Sequence, residues 1–408
     1  MNRIAAIAAL LSLSACELLD GLSDDATGDA TETTGTSSEV SDGTDGPPAG
    51  TDGPGTDDPG TDEPARRTGW TERNHTCYGD GVDVMFIDDD EQTMFIGCGS
   101  NADGYGLAYT PDRGETWPDY DTEPRGALGS RVTAIDRSAD GLLYVAGQNL
   151  NGNDEVVTVD TSVSPWEVGT EFEAGSSISE VQFAGSFAVN SQGMAVVEAL
   201  NGTQIAVRWS ENGSWQDAAG WAGGLSYQMQ DMQVHNDAFY ATGATMNDAP
   251  MLFLPPRNGH VEAEGFNMVV VELDSFAQEM RNLDVDADGN IVVGGIDHGL
   301  ASGVIYVSND DPRDAYDYTQ VWVEDILSGP TWIDGVCRDG DLVAAVGRFS
   351  NNNDPIALLS EDGGDTWRDL TMEFNQSGIP SLYRCEFLDG GDTIAVAGAS
   401  GFLGFYAR

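Results

Sequence analysis

Leu283-Asp284-Val285-Asp286-Ala287-Asp288-Gly289-Asn290-Ile291-Val292-Val293-Gly294-Gly295 is the stretch on which the architecture turns. Apolar residues alternate with acids up to Asp288-Gly289, and a short apolar run then ends in glycine. Asp-Gly between alternating segments signals a tight β-hairpin. The same ending recurs in Phe95-Ile96-Gly97-Cys98-Gly99, Tyr144-Val145-Ala146-Gly147, Tyr240-Ala241-Thr242-Gly243, Ala344-Ala345-Val346-Gly347 and Ala395-Val396-Ala397-Gly398. A further copy, Ala195-Val196-Val197-Glu198, has lost the glycine. The terminal positions 99, 147, 198, 243, 295, 347 and 398 are spaced by 48, 51, 45, 52, 52 and 51 residues. The stretch also matches the opening Asp-x-Asp-x-Asp-Gly of a calcium loop, but the twelfth position from Asp284 is Gly295 and not a bidentate glutamate. The hairpin reading is therefore preferred. No motif implies a cofactor, and calcium is the one ion the acids would suit.

A second marker runs with the first. A tryptophan followed two residues later by an acid recurs in Trp70-Thr71-Glu72, Trp117-Pro118-Asp119, Trp215-Gln216-Asp217, Trp322-Val323-Glu324 and Trp367-Arg368-Asp369. Trp166-Glu167 and Val270-Val271-Glu272 stand in register with them. Short strands repeating at about fifty residues predict an all-β chain, a seven-bladed β-propeller of four-stranded blades. After Gly398 the chain has room for one more strand, near Tyr406. The Trp70 strand is then expected to close the last blade, leaving no exposed edge.

Before the repeats, residues 1–15 carry Arg3, an apolar run from Ile4 to Leu13 and small residues, the layout of an export signal too short to span a bilayer. Leu13-Ser14-Ala15-Cys16 resembles the lipobox of bacterial lipoproteins, and the resemblance implies cleavage before Cys16 and lipidation of its sulfur. Glu17 follows instead of the aspartate that retains such proteins at the inner membrane, which points to the outer membrane, on its periplasmic side or at the cell surface. Residues 16–66 are rich in Gly, Thr, Asp and Pro, hold 14 acids and cannot bury a core. They read as an extended tether for a domain over residues 67–408.

The formal charge is −52, and all 17 basic residues are arginines. So acidic a chain lacks the basic footprint that nucleic acid requires, and it would contact a membrane through the lipid anchor alone. Besides Cys16 there are Cys77, Cys98, Cys337 and Cys385, an even number in an exported domain. The expected pairs are Cys77 with Cys98 and Cys337 with Cys385. The four histidines, His75, His235, His260 and His298, share no metal-ligand spacing, and no metal site is expected.

Thr110-Pro111-Asp112-Arg113-Gly114-Glu115-Thr116-Trp117 and Ser360-Glu361-Asp362-Gly363-Gly364-Asp365-Thr366-Trp367 resemble the Asp-box, or BNR repeat, of sialidase-like and sortilin-like propellers. Ser210-Glu211-Asn212-Gly213-Ser214-Trp215 is a shortened copy. Kinship with sialidases would imply three arginines clasping a carboxylate, a Tyr-Glu nucleophile pair and an acidic proton donor. Residues 66–109 hold only Arg66, Arg67 and Arg73 as basic groups, none in the expected context, so the first clasping arginine has no counterpart.

The first strand of each repeat begins with or near a charged residue: Asp83, Arg131, Glu180, Asp231, Arg281, Asp334 and Arg384. These are expected near one mouth of a central channel, chiefly as ion pairs between blades. Trp221, Trp332 and Tyr383, assigned to entry loops on the same face, would offer aromatic platforms beside Asn and Asp. The functional expectation is a monomeric, non-catalytic binding or scaffold module for a protein or glycan at the cell envelope. The alternatives are a surface glycosidase or lyase using acids of the channel, and a calcium-stabilised adhesive module.

Overall fold

The computed structural model describes residues 69–73, 81–98, 106–118, 131–148, 154–163, 166–173, 187–190, 195–199, 204–208, 215–217, 227–245, 250–254, 269–273, 278–371 and 381–408. They lie in one compact unit, Asp62–Arg408. Among the described residues the unit is all-β apart from single 3-10 turns such as Val323–Asp325 and Ala399–Gly401. The expected export signal, Cys16 and tether lie outside the described residues.

After β1 (Gly69–Glu72) comes a three-stranded sheet of β2 (Val82–Ile87), β3 (Met94–Cys98) and β4 (Leu107–Thr110). Four-stranded sheets follow: β5 (Arg131–Arg137), β6 (Leu143–Gln148), β7 (Asp154–Asp160) and β8 (Glu167–Glu173), then β9 (Phe187–Val189), β10 (Ala195–Ala199), β11 (Gln204–Arg208) and β12 (Trp215–Asp217). The next two are β13 (Tyr227–His235), β14 (Ala238–Thr245), β15 (Pro250–Leu254) and β16 (Val269–Glu272), and β17 (Gln278–Val285), β18 (Ile291–Asp297), β19 (Ser302–Ser308) and β20 (Tyr318–Trp322). Another is β21 (Thr331–Asp339), β22 (Leu342–Phe349), β23 (Pro355–Ser360) and β24 (Arg368–Asp369). Finally, β25 (Leu382–Leu388), β26 (Thr393–Gly398) and β27 (Leu403–Ala407) form a sheet completed by β1, which pairs antiparallel with β27 and sets Trp70 opposite Tyr406.

Strand periodicity explains how the sheets pack. Alternate residues of a strand face opposite sides. In β26, Ile394 and Val396 therefore join Cys337, Ala344, Val346 and Leu359 of the preceding sheet, while Ala395 and Ala397 join Val82, Met94 and Ile96 of the β2–β4 sheet. The chain's last sheet thus shares a core with its first. Comparable shared cores join the β2–β4 and β5–β8 sheets, the β13–β16 and β17–β20 sheets, and the β17–β20 and β21–β24 sheets.

The glycines that mark the repeat have a steric cause. In β2, β5, β13, β17, β21 and β25 the pairing skips one residue, at Asp83, Thr133, Gln230, Arg281, Asp334 and Tyr383. Such a bulge pushes the first strand towards its neighbour. A Cβ on Gly347 would run into the Trp332 carbonyl oxygen, and one on Gly295 into that of Glu279. In the β2–β4 sheet the position opposite the bulge is Cys98, facing Val82, so that repeat is registered one residue earlier than Gly99 suggested.

The two Ser/Thr-x-Asp-x-Gly-x-Thr-Trp turns share one hydrogen-bond pattern. Ser360 Oγ accepts from Gly364 N at 2.9 Å and donates to Asp362 Oδ1 at 2.8 Å, and Asp362 accepts from Thr366 N and Oγ1 at 2.8 and 2.6 Å. Thr110, Asp112, Gly114 and Thr116 repeat it with distances of 2.7 to 2.8 Å. The bonds from Thr366 and Ser360 hold the Asp362 carboxyl below its ordinary pKa. Around the Trp-acid markers the strands differ in extent. Trp322 ends β20 and Glu324 lies in a 3-10 turn, because Val323 turns inward and is fully buried. Residues 116–118 around Trp117 are not strand, and Asp119 lies outside the described residues.

Cys337 and Cys385, on the first strands of adjacent sheets, form the expected disulfide. Cys77 lies outside the described residues, and its expected pairing with Cys98 lies there with it.

Candidate functional site: a channel and its mouth

Seven strands contribute to one cavity of about 310 Å³: β2, β5, β9, β13, β17, β21 and β25, each the first of its sheet. In β2, β5, β13, β17 and β25 the first and third residues after the bulge are among those that line the wall, and β21 contributes Val336. The upper tier includes Asp231, Asn282 and Arg384; the lower includes Asp136, Gln233, Asp284 and Glu386.

Four of these polar residues tie the β5–β8 sheet to the β9–β12 sheet, the β13–β16 sheet to the β17–β20 sheet, and the β17–β20 sheet to the β21–β24 sheet. Asp136 Oδ2 accepts from Val189 N at 2.7 Å, Asp231 Oδ2 from Leu283 N at 3.0 Å, Asn282 Oδ1 from Val336 N at 2.7 Å, and Asp284 Oδ2 from Arg338 N at 2.7 Å. Each bond supplies a partner to a backbone N–H turned towards the channel, which would otherwise be costly. Burial raises the pKa of Asp136 and of Asp284 to about 6, against the lowering effect of those N–H bonds. Burial likewise raises Asp231, with Arg384 partly offsetting it. Glu386 is raised well above its usual value by burial and then by the charges of Asp284, Asp339 and Glu91.

The channel wall also settles the geometry of the Asp284-x-Asp286-x-Asp288 stretch. Asp284 faces the channel, whereas Asp286 caps the hairpin turn by accepting from Asn290 N at 2.8 Å and Asp288 N at 3.0 Å. The carboxylates are thus divided between two places. Among the described residues no group of three acidic, histidine or cysteine side chains is arranged to hold a metal ion.

A basic and aromatic cluster lies where β17, β21 and β25 begin. Arg281 Nη1 donates to Asp334 Oδ1 at 2.5 Å, joining adjacent sheets. Arg348 Nε lies 3.6 Å from Asp334 Oδ2. Both guanidiniums lie over Trp332, at 4.7 and 4.5 Å from the ring, and Arg348 is 5.9 Å from Tyr383. Arg384 Nη1 donates to the carbonyl oxygens of Asp334 and Tyr383 at 3.2 and 3.0 Å. Glu279 sits at the edge, 3.4 Å from Arg281 Nε and 3.1 Å from His298 Nε2.

Of the residues singled out in the sequence, Arg281, Asp334, Arg384, Trp332 and Tyr383 converge here. Their positions are not equivalent: Asp83, Arg281 and Asp334 are bulged residues, Arg131 precedes its bulge by two, and Asp231 and Arg384 follow theirs by one. Equal spacing in the chain therefore does not make one ring. Asp231 faces the channel, and Arg131 is exposed at the start of β5. Trp332 and Tyr383 are strand residues rather than loop residues, since β21 and β25 begin before them. The side chain of Asp83, and the whole of Glu180 and Trp221, lie outside the described residues. Sequence reading missed Arg348 and Glu279. Arg348 pairs across the strands with Trp332, so the residue after the repeat glycine was the signal that could have found it.

No protein-family model matches the sequence, and no curated protein matches it. Solved structures do resemble the fold. YCF48 from Cyanidioschyzon merolae superposes with a TM-score of 0.55 at 16% identity, covering 83% of this chain and 98% of its own. YCF48 bound to D1 peptide covers 85% of this chain and 100% of its own, also at a TM-score of 0.55 and 16% identity. A streptogramin B lyase structure aligns with a TM-score of 0.57 at 10% identity, over 83% of this chain and 97% of its own. The described unit is a β-propeller by these likenesses, built among the described residues of six four-stranded and one three-stranded antiparallel sheets. One such fold carries a lyase and another a peptide complex, so the site has to supply the function.

Proposed function

We propose that this protein is a non-catalytic binding or scaffold propeller that presents the mouth of its channel to a protein or glycan partner in the cell envelope. The observation that carries the reading is the cluster of Arg281, Trp332, Asp334, Arg348, Tyr383 and Arg384 at the end of the polar channel. A preassembled patch of this kind binds without first ordering its side chains. The peptide complex of YCF48, which has the same fold, supports partnering by a propeller of this build.

The architecture proposed beneath that site is a ring of seven blades fastened by β1. Pairing of β1 with β27, the core shared by the last and first sheets, and a cavity lined by seven first strands support it. The turns at Asp112 and Asp362, with their common hydrogen bonds, support the likeness to Asp-box propellers. The lipobox-like Leu13-Ser14-Ala15-Cys16 and the acidic stretch after it support a lipid-anchored, tethered module, at the outer membrane by the residue at position 17.

The test is thermal melting of the full chain, with and without calcium, across a panel of envelope glycans, peptidoglycan fragments and peptides. A ligand that binds the folded state alone raises the melting temperature by mass action. A rise of several degrees with a glycan or peptide, lost in Arg348→Gln, is the expected outcome. Hydrolysis or elimination of a glycan, abolished by Asp284→Asn, would instead establish the glycosidase or lyase reading. A rise with calcium alone would support the adhesive module.

A further inference from the structure

We infer that the channel mouth is a receptor for a carboxylate-bearing peptide segment, with Arg281, Arg348 and Arg384 supplying the charge and Trp332 and Tyr383 the platform. This rests on the binding reading above and deepens it.

The first argument is electrostatic. Residues 67–408 hold 55 acids against 15 arginines. In that field three arginines meet within one cluster, facing Asp334 and Glu279. Arg281 and Arg348 share Asp334 and Glu279, and Arg384 also faces Asp231, whose carboxyl burial pushes towards its neutral form, so three guanidiniums gather at one place in a domain of strongly negative net charge. A carboxylate is therefore steered to this place, which is how charge patterning contributes to specificity.

The second argument is preorganisation. Asp334, only 7% exposed, accepts from Arg281 with one oxygen and has no hydrogen bond to the other. Among the described residues Arg281 Nε, 3.4 Å from Glu279, and Arg348 Nε, 3.6 Å from Asp334, are buried and likewise make no hydrogen bond. The carboxylate thus holds Arg281 by a hydrogen bond and Arg348 by an ion pair while using few of their donors, and both guanidiniums lie over Trp332, where the ring face attracts a cation. A guanidinium held by its aromatic face keeps its terminal Nη groups, which can meet a carboxylate, for a ligand, and at Arg281 one of the two is already on Asp334.

The third argument selects the ligand. Arginine forks accept phosphate as well as carboxylate. A phosphate group carries close to two charges at pH 7 and meets about twice the long-range repulsion from the acidic domain. Trp332 and Tyr383 add half-buried apolar surface beside the charge, suited to an aromatic or aliphatic residue next to the carboxylate. A side chain or a chain terminus can supply the carboxylate, and the experiment separates the two.

The probes are labelled Gly-Ser peptides ending in Phe-Glu or Phe-Gln, each with a free or amidated C-terminus, and inorganic phosphate as competitor. Binding to the full chain is read by fluorescence anisotropy at low and high salt. The amidated Phe-Glu peptide, or the free-acid Phe-Gln peptide, is expected to bind at least about tenfold more tightly than amidated Phe-Gln, a factor worth about 1.4 kcal/mol. Which of them gains identifies the side chain or the terminus as the carboxylate. Affinity should fall with salt and fall about tenfold in Arg348→Gln, while Arg348→Lys retains the salt dependence but loses the fork. Arg384→Gln provides a second variant should Arg348→Gln fail to fold. Equal affinity for all peptides, absence of binding, stronger competition by phosphate than by free Phe-Glu, or unchanged affinity in both Gln variants overturns the inference. A partner still captured at the mouth by cross-linking in such a case would leave the binding reading standing and dismiss only its carboxylate chemistry.

Discussion

At the scale of single residues, the repeat glycines carry information that composition hides. Gly347 tolerates no Cβ because the Trp332 carbonyl occupies that space, whereas Gly340 has a φ of 60° and open surroundings. Gly347→Ala should therefore cost at least about 1 to 3 kcal/mol, the range for overpacking, and Gly340→Ala roughly 1 to 2 kcal/mol for the left-handed backbone alone. Denaturant unfolding of the two variants side by side checks the order; a larger loss at Gly340 would refute the steric explanation. Ser360 is a second such position. Its buried hydroxyl is the acceptor for Gly364 N, so Ser360→Ala leaves that N–H unsatisfied and should cost about 1 to 3 kcal/mol by the same measurement. What the sequence could not reveal at this scale was equivalence. Asp231, Arg281 and Asp334 follow one another at 50 and 53 residues along the chain, but the bulge sets which way each one faces, and a one-residue shift moves a side chain between mouth and channel wall.

At the scale of strands, the hairpins were legible because Asp140-Gly141, Asp288-Gly289 and Asp339-Gly340 are local signals, and all three glycines have positive φ. The pairing of Trp70 with Tyr406 was legible for a different reason: the last repeat was one strand short. Arg348 was missed as a site residue because its partners Trp332 and Asp334 belong to the neighbouring strand, and only its place directly after the repeat glycine, which sits beside the bulge, marks it in the sequence. Two outcomes follow from the strand pairings. Removing residues 1–72 deletes β1 and exposes the edge of β27, so the product should melt lower and self-associate, while removal of residues 1–66 should leave the melting temperature unchanged. Light scattering and thermal melting of both truncations read this directly. Opening the disulfide by Cys337→Ala, which releases two strands 48 residues apart, should cost about 2 to 4 kcal/mol.

At the scale of the whole molecule, two sets of carboxyls pull stability in opposite directions with pH. Asp136 and Asp284 have folded-state pKa values of about 6, raised above 3.8 by burial, so the folded chain holds their protons more tightly than the unfolded one. Their effect is most favourable below pH 4 and is lost as pH rises towards and past 6. Asp362 and Asp389 are lowered, by hydrogen bonds from Thr366 and from Arg113 respectively, and their contribution is lost as pH falls below 4. The melting temperature should therefore rise from pH 8 to about pH 5 and fall again below pH 4, and Asp136→Asn should flatten the upper limb.

The account's central claim is that the channel mouth, rather than the face carrying the Asp112 and Asp362 turns, meets the partner. Photo-cross-linking residues placed at Tyr383 and, separately, at Glu361 of the full chain in its native cells test this most directly. The account predicts a discrete adduct from position 383 that is lost with Arg348→Gln, and none from position 361. Adducts confined to position 361, or an adduct at 383 indifferent to Arg348, would contradict it.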